Sequence, residues 1–290
     1  MVTQSYVRSK EAKSQGGPLD GTDSYIDTIG TSSTTFKHPG FHVNTEDECS
    51  DNIYMEIVIS PVVGTAFEDI WVVVPAYREE LAIGNTLAQI SQFLPNIVVV
   101  DDGSGDKTGT IARSLGASVV SHPINLGQGA SLQTGIDFAL ASGAKFICTF
   151  DADGQHDPST IALMHRRLLE TDADIVLGSR FLGSTVNMPM AKRYILRAAI
   201  AFTRFQTKLP LTDTHNGLRM FTRSSALRIK IRQPGMAHAS EILSEIVKLK
   251  FKVIEVPTII SYTDYSKAKG QPLSNSVKIL LELFYAAICR

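Results

Sequence analysis

Asp151 and Asp153 stand two positions apart, and Gln155 follows at the same spacing. In an extended chain, residues at that spacing project from one side. Two carboxylates so placed repel each other unless a cation lies between them. Gln155 adds a neutral oxygen. An all-oxygen set suits Mg²⁺ or Mn²⁺, which keep waters and substrate phosphates among their ligands. The same residues also read as a solvated acidic turn, because Asp153-Gly154 is turn chemistry. An EF-hand reading fails: its sixth loop position would be His156 rather than Gly, and its twelfth Ala162 rather than Glu.

Three further polar clusters carry the same promise: Pro75-Ala76-Tyr77-Arg78-Glu79, Asp101-Asp102-Gly103-Ser104 and Gly178-Ser179-Arg180. The loop Asn125-Leu126-Gly127-Gln128-Gly129 opens a helical stretch. It reads either as a close approach to a phosphate or as helix-start punctuation. It is not GxGxxG, because Leu132 fills the third place, and no GxxxxGK[ST] occurs. A dehydrogenase and a P-loop enzyme are both disfavoured. Arg180, Arg193, Arg197, Arg219, Lys267 and Lys269 supply cations able to pair with phosphate oxygens. Asp213 and Glu241 remain as positioning or base carboxylates. His215 and His238 read as local hydrogen-bonding residues.

The elements that must position these residues follow from hydrophobic pattern. Ile70–Val74, Ile97–Val100, Ala117–Val120, Lys145–Phe150 and Asp174–Leu177 are short apolar runs, as buried parallel strands are. Amphipathic stretches lie between them: Glu80–Leu94, Lys107–Leu115, Gln128–Ala141 and Pro158–Thr171. Asp157 is the expected N-cap of the last, with Pro158 at its first turn. Gly116 and Gly143 sit where helices should stop. The repeated order implies an α/β fold: a doubly wound, mostly parallel sheet with helices on both faces. The polar clusters then fall at the carboxyl ends of the strands, where such sheets bind ligands. Further on, Met190–Lys208 and Ala239–Leu249 read as helices and Gly217–Phe221 as a strand. Val253–Ser261 reads as an edge strand, because Pro257 interrupts it. Ile53–Ile59 is a weaker strand candidate.

The chain has 290 residues, 43% of them hydrophobic and 20% charged, with a net charge of -1. That balance supports a sizeable core and gives no overall electrostatic attraction to nucleic acid. Cys49, Cys148 and Cys289 are scattered and odd in number, which argues against a disulfide framework or a zinc site. The N-terminus lacks an apolar signal core, and no stretch reaches the roughly 20 apolar residues of a spanning helix. A reducing, cytoplasmic setting is expected, peripheral to a membrane. Residues 1–68 read as a mobile or loosely packed extension and 69–270 as the α/β domain. Residues 271–290 hold an apolar amphipathic helix, Val277–Cys289. Ser274, Lys278 and Glu282 give that helix one narrow polar stripe, so it suits a membrane interface, the core or a homo-oligomer contact.

Taken in order, the five motifs resemble those of family 2 glycosyltransferases of the GT-A fold. These are Pro75–Glu80, Asp101–Ser104, Asn125–Gly129, Asp151–His156 and Gly178–Arg180. The branch they are most similar to is the dolichyl-phosphate mannose synthase and polyprenyl-phosphate glycosyltransferase group. The resemblance covers roughly residues 70–270. It implies that Pro75, Ala76, Tyr77 and Glu79 line a nucleoside pocket with Asp101 or Asp102, near Gly129. It implies that Asp151, Asp153 and Gln155 hold the divalent metal on the donor diphosphate. It also implies that Arg180, Asp213 and Arg219 face the acceptor, with Lys267 and Lys269 near the phosphates. Arg78 departs from the family's commoner Asn.

The resemblance further implies inversion at the anomeric carbon by single displacement, with a GDP- or UDP-hexose as donor. A lipid phosphate acceptor is already anionic and needs cations around it, whereas a sugar hydroxyl needs a free carboxylate. The cations outnumber the carboxylates here, so a polyprenyl phosphate is the expected acceptor. A saccharide hydroxyl remains the alternative. A nucleotidyltransferase or a non-catalytic nucleotide-sugar-binding protein stands further off.

Overall fold

The computed structural model describes residues 67–235 and 237–269. The strand expected at 53–59, nearly all of the extension, and the helix expected at 277–289 lie outside them. So does the side chain of Lys267.

In chain order the elements are β1 (Ile70–Ala76), α1 (Ile83–Ile90), β2 (Asn96–Asp101), α2 (Thr108–Ser114), β3 (Ser118–Ser121), α3 (Gln128–Ala141) and β4 (Phe146–Thr149). There follow α4 (Ser159–Thr171), β5 (Ile175–Val186), α5 (Met190–Thr207), β6 (Arg219–Thr222), α6 (Arg223–Arg228), α7 (His238–Leu249), β7 (Val253–Ser261) and α8 (Asp264–Lys269). The seven strands run in the order β3-β2-β1-β4-β6-β5-β7. All neighbours pair in parallel except β6, which is antiparallel to both β4 and β5. The mostly parallel sheet expected from the sequence is present. Pro257 lies in β7, which is indeed an edge.

Alternation along the strands splits the core into two layers. Val72 and Val74 pack with Ile83, Leu87 and Ile90 of α1 and Ile161, Met164 and Leu168 of α4. Val73, Val98 and Ile147 pack on the other face with Leu132 and Ile136 of α3 and Ile242 and Ile246 of α7. The strands are apolar on both sides because both sides are covered.

The helix ends follow local chemistry. Gly116 and Gly143 adopt φ of +84° and +88°. Each lets the following residue donate back to the last turn, Ala117 N to Ala112 O and Ala144 N to Ala139 O. At α4 the carboxylate of Asp157 accepts from Ser159 N at 2.9 Å. Pro158 is the boundary residue and the helix begins at Ser159, one position later than expected. The first helix is also shorter than its amphipathic stretch, because residues 80–82 form a turn on the Glu79 carbonyl. β5 runs on to Val186, well past Leu177, because its outer half pairs with β7 after an irregularity between Ser179 and Ser184.

Candidate active site

Four strand ends converge on a cavity of about 510 Å³ at the carboxyl edge of the sheet. Pro75, Ala76, Tyr77 and Glu79 form one wall, Asp102 and Gly127 the floor, and Asp151 and Asp153 the far side.

The Asp102 end is a rigid knot. Its carboxylate accepts from Leu126 N at 2.9 Å, Gly127 N at 2.8 Å and His122 Nδ1 at 2.7 Å. Burial works to raise its pKa, but these donors outweigh it and hold the group below the usual carboxylate range. The loop Asn125–Gly127 is thereby pinned to β2. Of the two candidate aspartates, Asp102 faces the cavity. Asp101 instead accepts from Ser104 N at 3.1 Å and lies against Gly109 of α2. Gly129 does not face a ligand directly: its N–H donates to Pro234 O at 2.7 Å. A side chain there would collide with the Gln233 carbonyl, so its smallness serves the close passage of segment 233–235.

The wall at Glu79 is closed by residues of α8. Tyr265 donates to Glu79 Oε2 at 2.8 Å, and Lys269 Nζ lies 2.8 Å from Oε1. Lys269 also donates to the carbonyls of Tyr77 and Arg78. Arg78 adopts φ of +54°, a conformation asparagine tolerates better, and its N–H donates to Ser104 Oγ at 3.0 Å.

The paired aspartates behave differently. Residues 151–154 form a turn rather than an extended strand, with Gly154 at φ of +72°. The two-residue alternation expected of Asp151 and Asp153 is therefore replaced by turn geometry, which still delivers both carboxylates to one cavity. Asp151 accepts from Gln128 Nε2 at 3.2 Å and from His156 Nε2 at 3.1 Å. Burial acts to raise its pKa, yet the His156 hydrogen bond and the charges of His156, Arg219 and His238 hold it low. Asp153 is pushed up to about 6, first by burial and then by the charge of Asp151. Its only described donors are from Gln155, N–H at 3.1 Å and Nε2 at 2.5 Å. A carboxylate crowded by another carboxylate, and left under-supplied with donors, is the environment a divalent cation relieves. The donor set fits such an ion. Among the described residues no group of three or more His, Cys, Asp or Glu converges on a metal position. Any further ligands must then come from Gln155, water or substrate. Gly217 completes the setting, since any side chain there would run into the Asp151 carboxylate.

The residues that the resemblance assigns to the acceptor are deeply built in. Arg180 Nε lies 2.6 Å from Asp213 Oδ2, Nη1 donates to Tyr262 Oη at 3.1 Å, and Nη2 donates to His215 O at 2.8 Å. Burial would lower its pKa, but Asp213 raises it. Asp213 is held in turn by Glu255, whose carboxylate accepts from the amides of Thr212 and Asp213. Arg219 is 4% exposed on β6, and its Nη1 has no hydrogen-bond partner. It supplies positive potential beneath Asp151. His215 and His238 are both pushed down to about 4 by burial, and each makes the local bond expected of it, to Thr214 and to the Gly235 carbonyl. Glu241 accepts from the amides of Arg232 and Gln233.

Five participants escaped the sequence reading: His122, Gln128, His156, Tyr262 and Tyr265. His156 and Gln128 were the most findable, because they lie inside the Asp151–His156 and Asn125–Gly129 motifs. The others act through contacts 20 or more residues away in sequence.

A mostly parallel α/β sheet with a nucleotide-sized cavity and paired carboxylates at its carboxyl edge defines the class: a nucleotide-sugar-type transferase of GT-A architecture. The model of glycosyl transferase family 2 matches residues 71–229, and the chain belongs to that family. A protein of Methanocaldococcus jannaschii without an assigned function is 38% identical, over 76% of this chain and 93% of its own length. The UDP-N-acetylglucosamine–dolichyl-phosphate N-acetylglucosaminyltransferase of Methanococcus voltae is 32% identical, over 74% of this chain and 93% of its own length. The polyprenol monophosphomannose synthase of Mycolicibacterium smegmatis is 29% identical, over 67% and 77%. Among solved structures, the glucosyl-3-phosphoglycerate synthase of Mycobacterium tuberculosis bound to UDP superposes with a TM-score of 0.57 at 20% identity. The match covers 74% of this chain and 79% of that one, and it speaks to fold alone.

Proposed function

We propose that the protein transfers a hexose-type sugar from a UDP- or GDP-sugar to a polyprenyl phosphate, with inversion, in the presence of Mg²⁺ or Mn²⁺. The observation that carries this reading is the state of the carboxylates. Asp213 spends both oxygens, accepting from Arg180 at Oδ2 and from His215 N at Oδ1. Glu241 is occupied by backbone amides. Asp213 is locked in the buried ion pair with Arg180, and neither it nor Glu241 lines the cavity, so neither is offered there to a sugar hydroxyl, whereas an anionic acceptor needs no base. The relatives that act on dolichyl phosphate and polyprenol support the same acceptor.

Asp151, Asp153 and Gln155 would hold the cation, whose bound charge offsets that developing on the leaving diphosphate. Tyr77, Glu79 and Asp102 shape the nucleoside end. Arg219, whose Nη1 has no partner, supplies buried positive charge, whereas Arg180 is paired with Asp213 and braces that side of the site. Lys269 and Tyr265 hold the Glu79 wall closed over the donor.

The test is a transfer assay with the purified chain and Mn²⁺, using UDP- and GDP-sugars against a polyprenyl phosphate and against free saccharides. Formation of a glycosylated lipid phosphate with release of nucleoside diphosphate is expected. Transfer to saccharides alone, or release of pyrophosphate, would refute the reading.

A further inference from the structure

We propose that Tyr262 is a positioning residue that sets the acceptor side of the site against the cation turn; the inference rests on the lipid-phosphate reading above. The two sides are carried by strands that are not neighbours. The turn at residues 151–155 follows β4, Arg180 stands in β5, and β6 lies between those strands. The register through β6 ends at Thr149 and Leu177, short of both groups. A single displacement needs its attacking and leaving groups in line, and a misplacement of about 1 Å can cost on the order of a hundredfold in rate.

The end of β7 spans that gap. Ser261 N donates to Gln155 O at 2.9 Å, and Ile260 forms an antiparallel bridge with His156. His156 Nε2 lies in turn 3.1 Å from Asp151 Oδ2. At the next residue, Tyr262 N donates to Val186 O at 3.1 Å, and the Tyr262 hydroxyl accepts from Arg180 Nη1 at 3.1 Å. Three consecutive residues thus reach the cation turn on one side and the arginine on the other. The strand that carries them passes tightly against β5, since a side chain at Gly183 would run into the Thr258 backbone.

The hydroxyl separates positioning from packing. Tyr262 is 3% exposed, and Lys192 Nζ lies 4.6 Å from its ring centre. A phenylalanine would fill the same space without bringing a polar atom that must find a partner once buried. Nε and Nη2 of Arg180 are both held from residues 213–215. The Tyr262 hydroxyl takes the third nitrogen from a separate segment and so fixes the plane of the fork.

The test is Tyr262→Phe in the full chain, which removes one oxygen. It should lower kcat about tenfold while the KM for the nucleotide sugar stays within about twofold. Mn²⁺ affinity, read without acceptor from the rise in melting temperature over chelator, should also stay within about twofold, because the backbone links to Gln155 and His156 remain. Ser261→Pro does the converse: it removes the donor to Gln155 O, spares the hydroxyl, and should weaken Mn²⁺ binding about tenfold. An unchanged kcat in Tyr262→Phe, a parallel loss of kcat, Mn²⁺ affinity and melting temperature in that variant, or unchanged Mn²⁺ affinity in a folded Ser261→Pro would overturn the proposal. Both variants are compared with the parent on whichever acceptor the parent glycosylates. Transfer by the parent to saccharides alone would refute the acceptor reading and leave the Tyr262 comparison in force.

Discussion

Asp102, after β2, and Asp153, after β4, border the same cavity and are satisfied in opposite ways. Asp102 accepts three hydrogen bonds from fixed groups and is held acidic. Asp153 faces another carboxylate, is served among the described residues only by Gln155, and is pushed up to about 6. A saturated carboxylate is a fastener, whereas an under-supplied one is a socket. The contrast separates the part of the site that must stay still from the part that must exchange partners during turnover.

The sharpest way to break that contrast is Asp153→Asn. It should lower kcat/KM by roughly three orders of magnitude, in line with losing charge stabilisation at a leaving group. The melting temperature should hold or rise, because a buried like-charge pair is relieved. Turnover within tenfold of the parent would remove Asp153 from the cation site.

Asp102→Ala should show the reverse balance. It strands two amides and His122, so urea unfolding should report a loss of about 3 kcal/mol. A loss below about 1 kcal/mol would mean that the Asn125–Gly127 loop does not depend on Asp102.

The smallest effect is a matter of pH. In the cation-free protein, Asp153 titrates above its unfolded value of 3.8. Its contribution to stability is therefore full below that value and lost as pH rises through about 6. His215 and His238, pushed down to about 4, act oppositely and cost stability as pH falls from 6.5. The Mn²⁺-induced rise in melting temperature, taken against chelator at each pH, cancels the histidine part. Since a proton on Asp153 competes with the ion, apparent Mn²⁺ affinity should be about tenfold weaker at pH 5 than at pH 7. A pH-independent shift would place the ion elsewhere.

The strands were legible because burial on both faces leaves them continuously apolar, as in Ile70–Val74 and Ile97–Val100. The motifs were legible because chemistry at strand ends needs particular residue types. Three things were not. The direction of β6 is invisible to periodicity, since parallel and antiparallel strands alternate alike. The outer half of β5 depends on pairing with β7, some 75 residues later, and carries no local signal of its own. The engagement of Arg180 was also hidden. Its sequence neighbours mark it as a phosphate-facing cation, but three groups from two other segments, residues 213–215 and Tyr262, engage its three nitrogens.

The placement of β6 also bears on how the chain is assembled. Among the described residues, β5 hydrogen-bonds to β6 and β7 and to no earlier strand. As the polypeptide emerges from the ribosome, β1 to β4 can pair with one another, but β5 waits without a neighbour to join. Arg180 therefore has no fixed address until residues 219–222 slot in beside β4. The β1–β4 frame can form before the other half does, but the cavity is finished only when residues 233–235 reach Gly129 and Tyr265 and Lys269 reach Glu79.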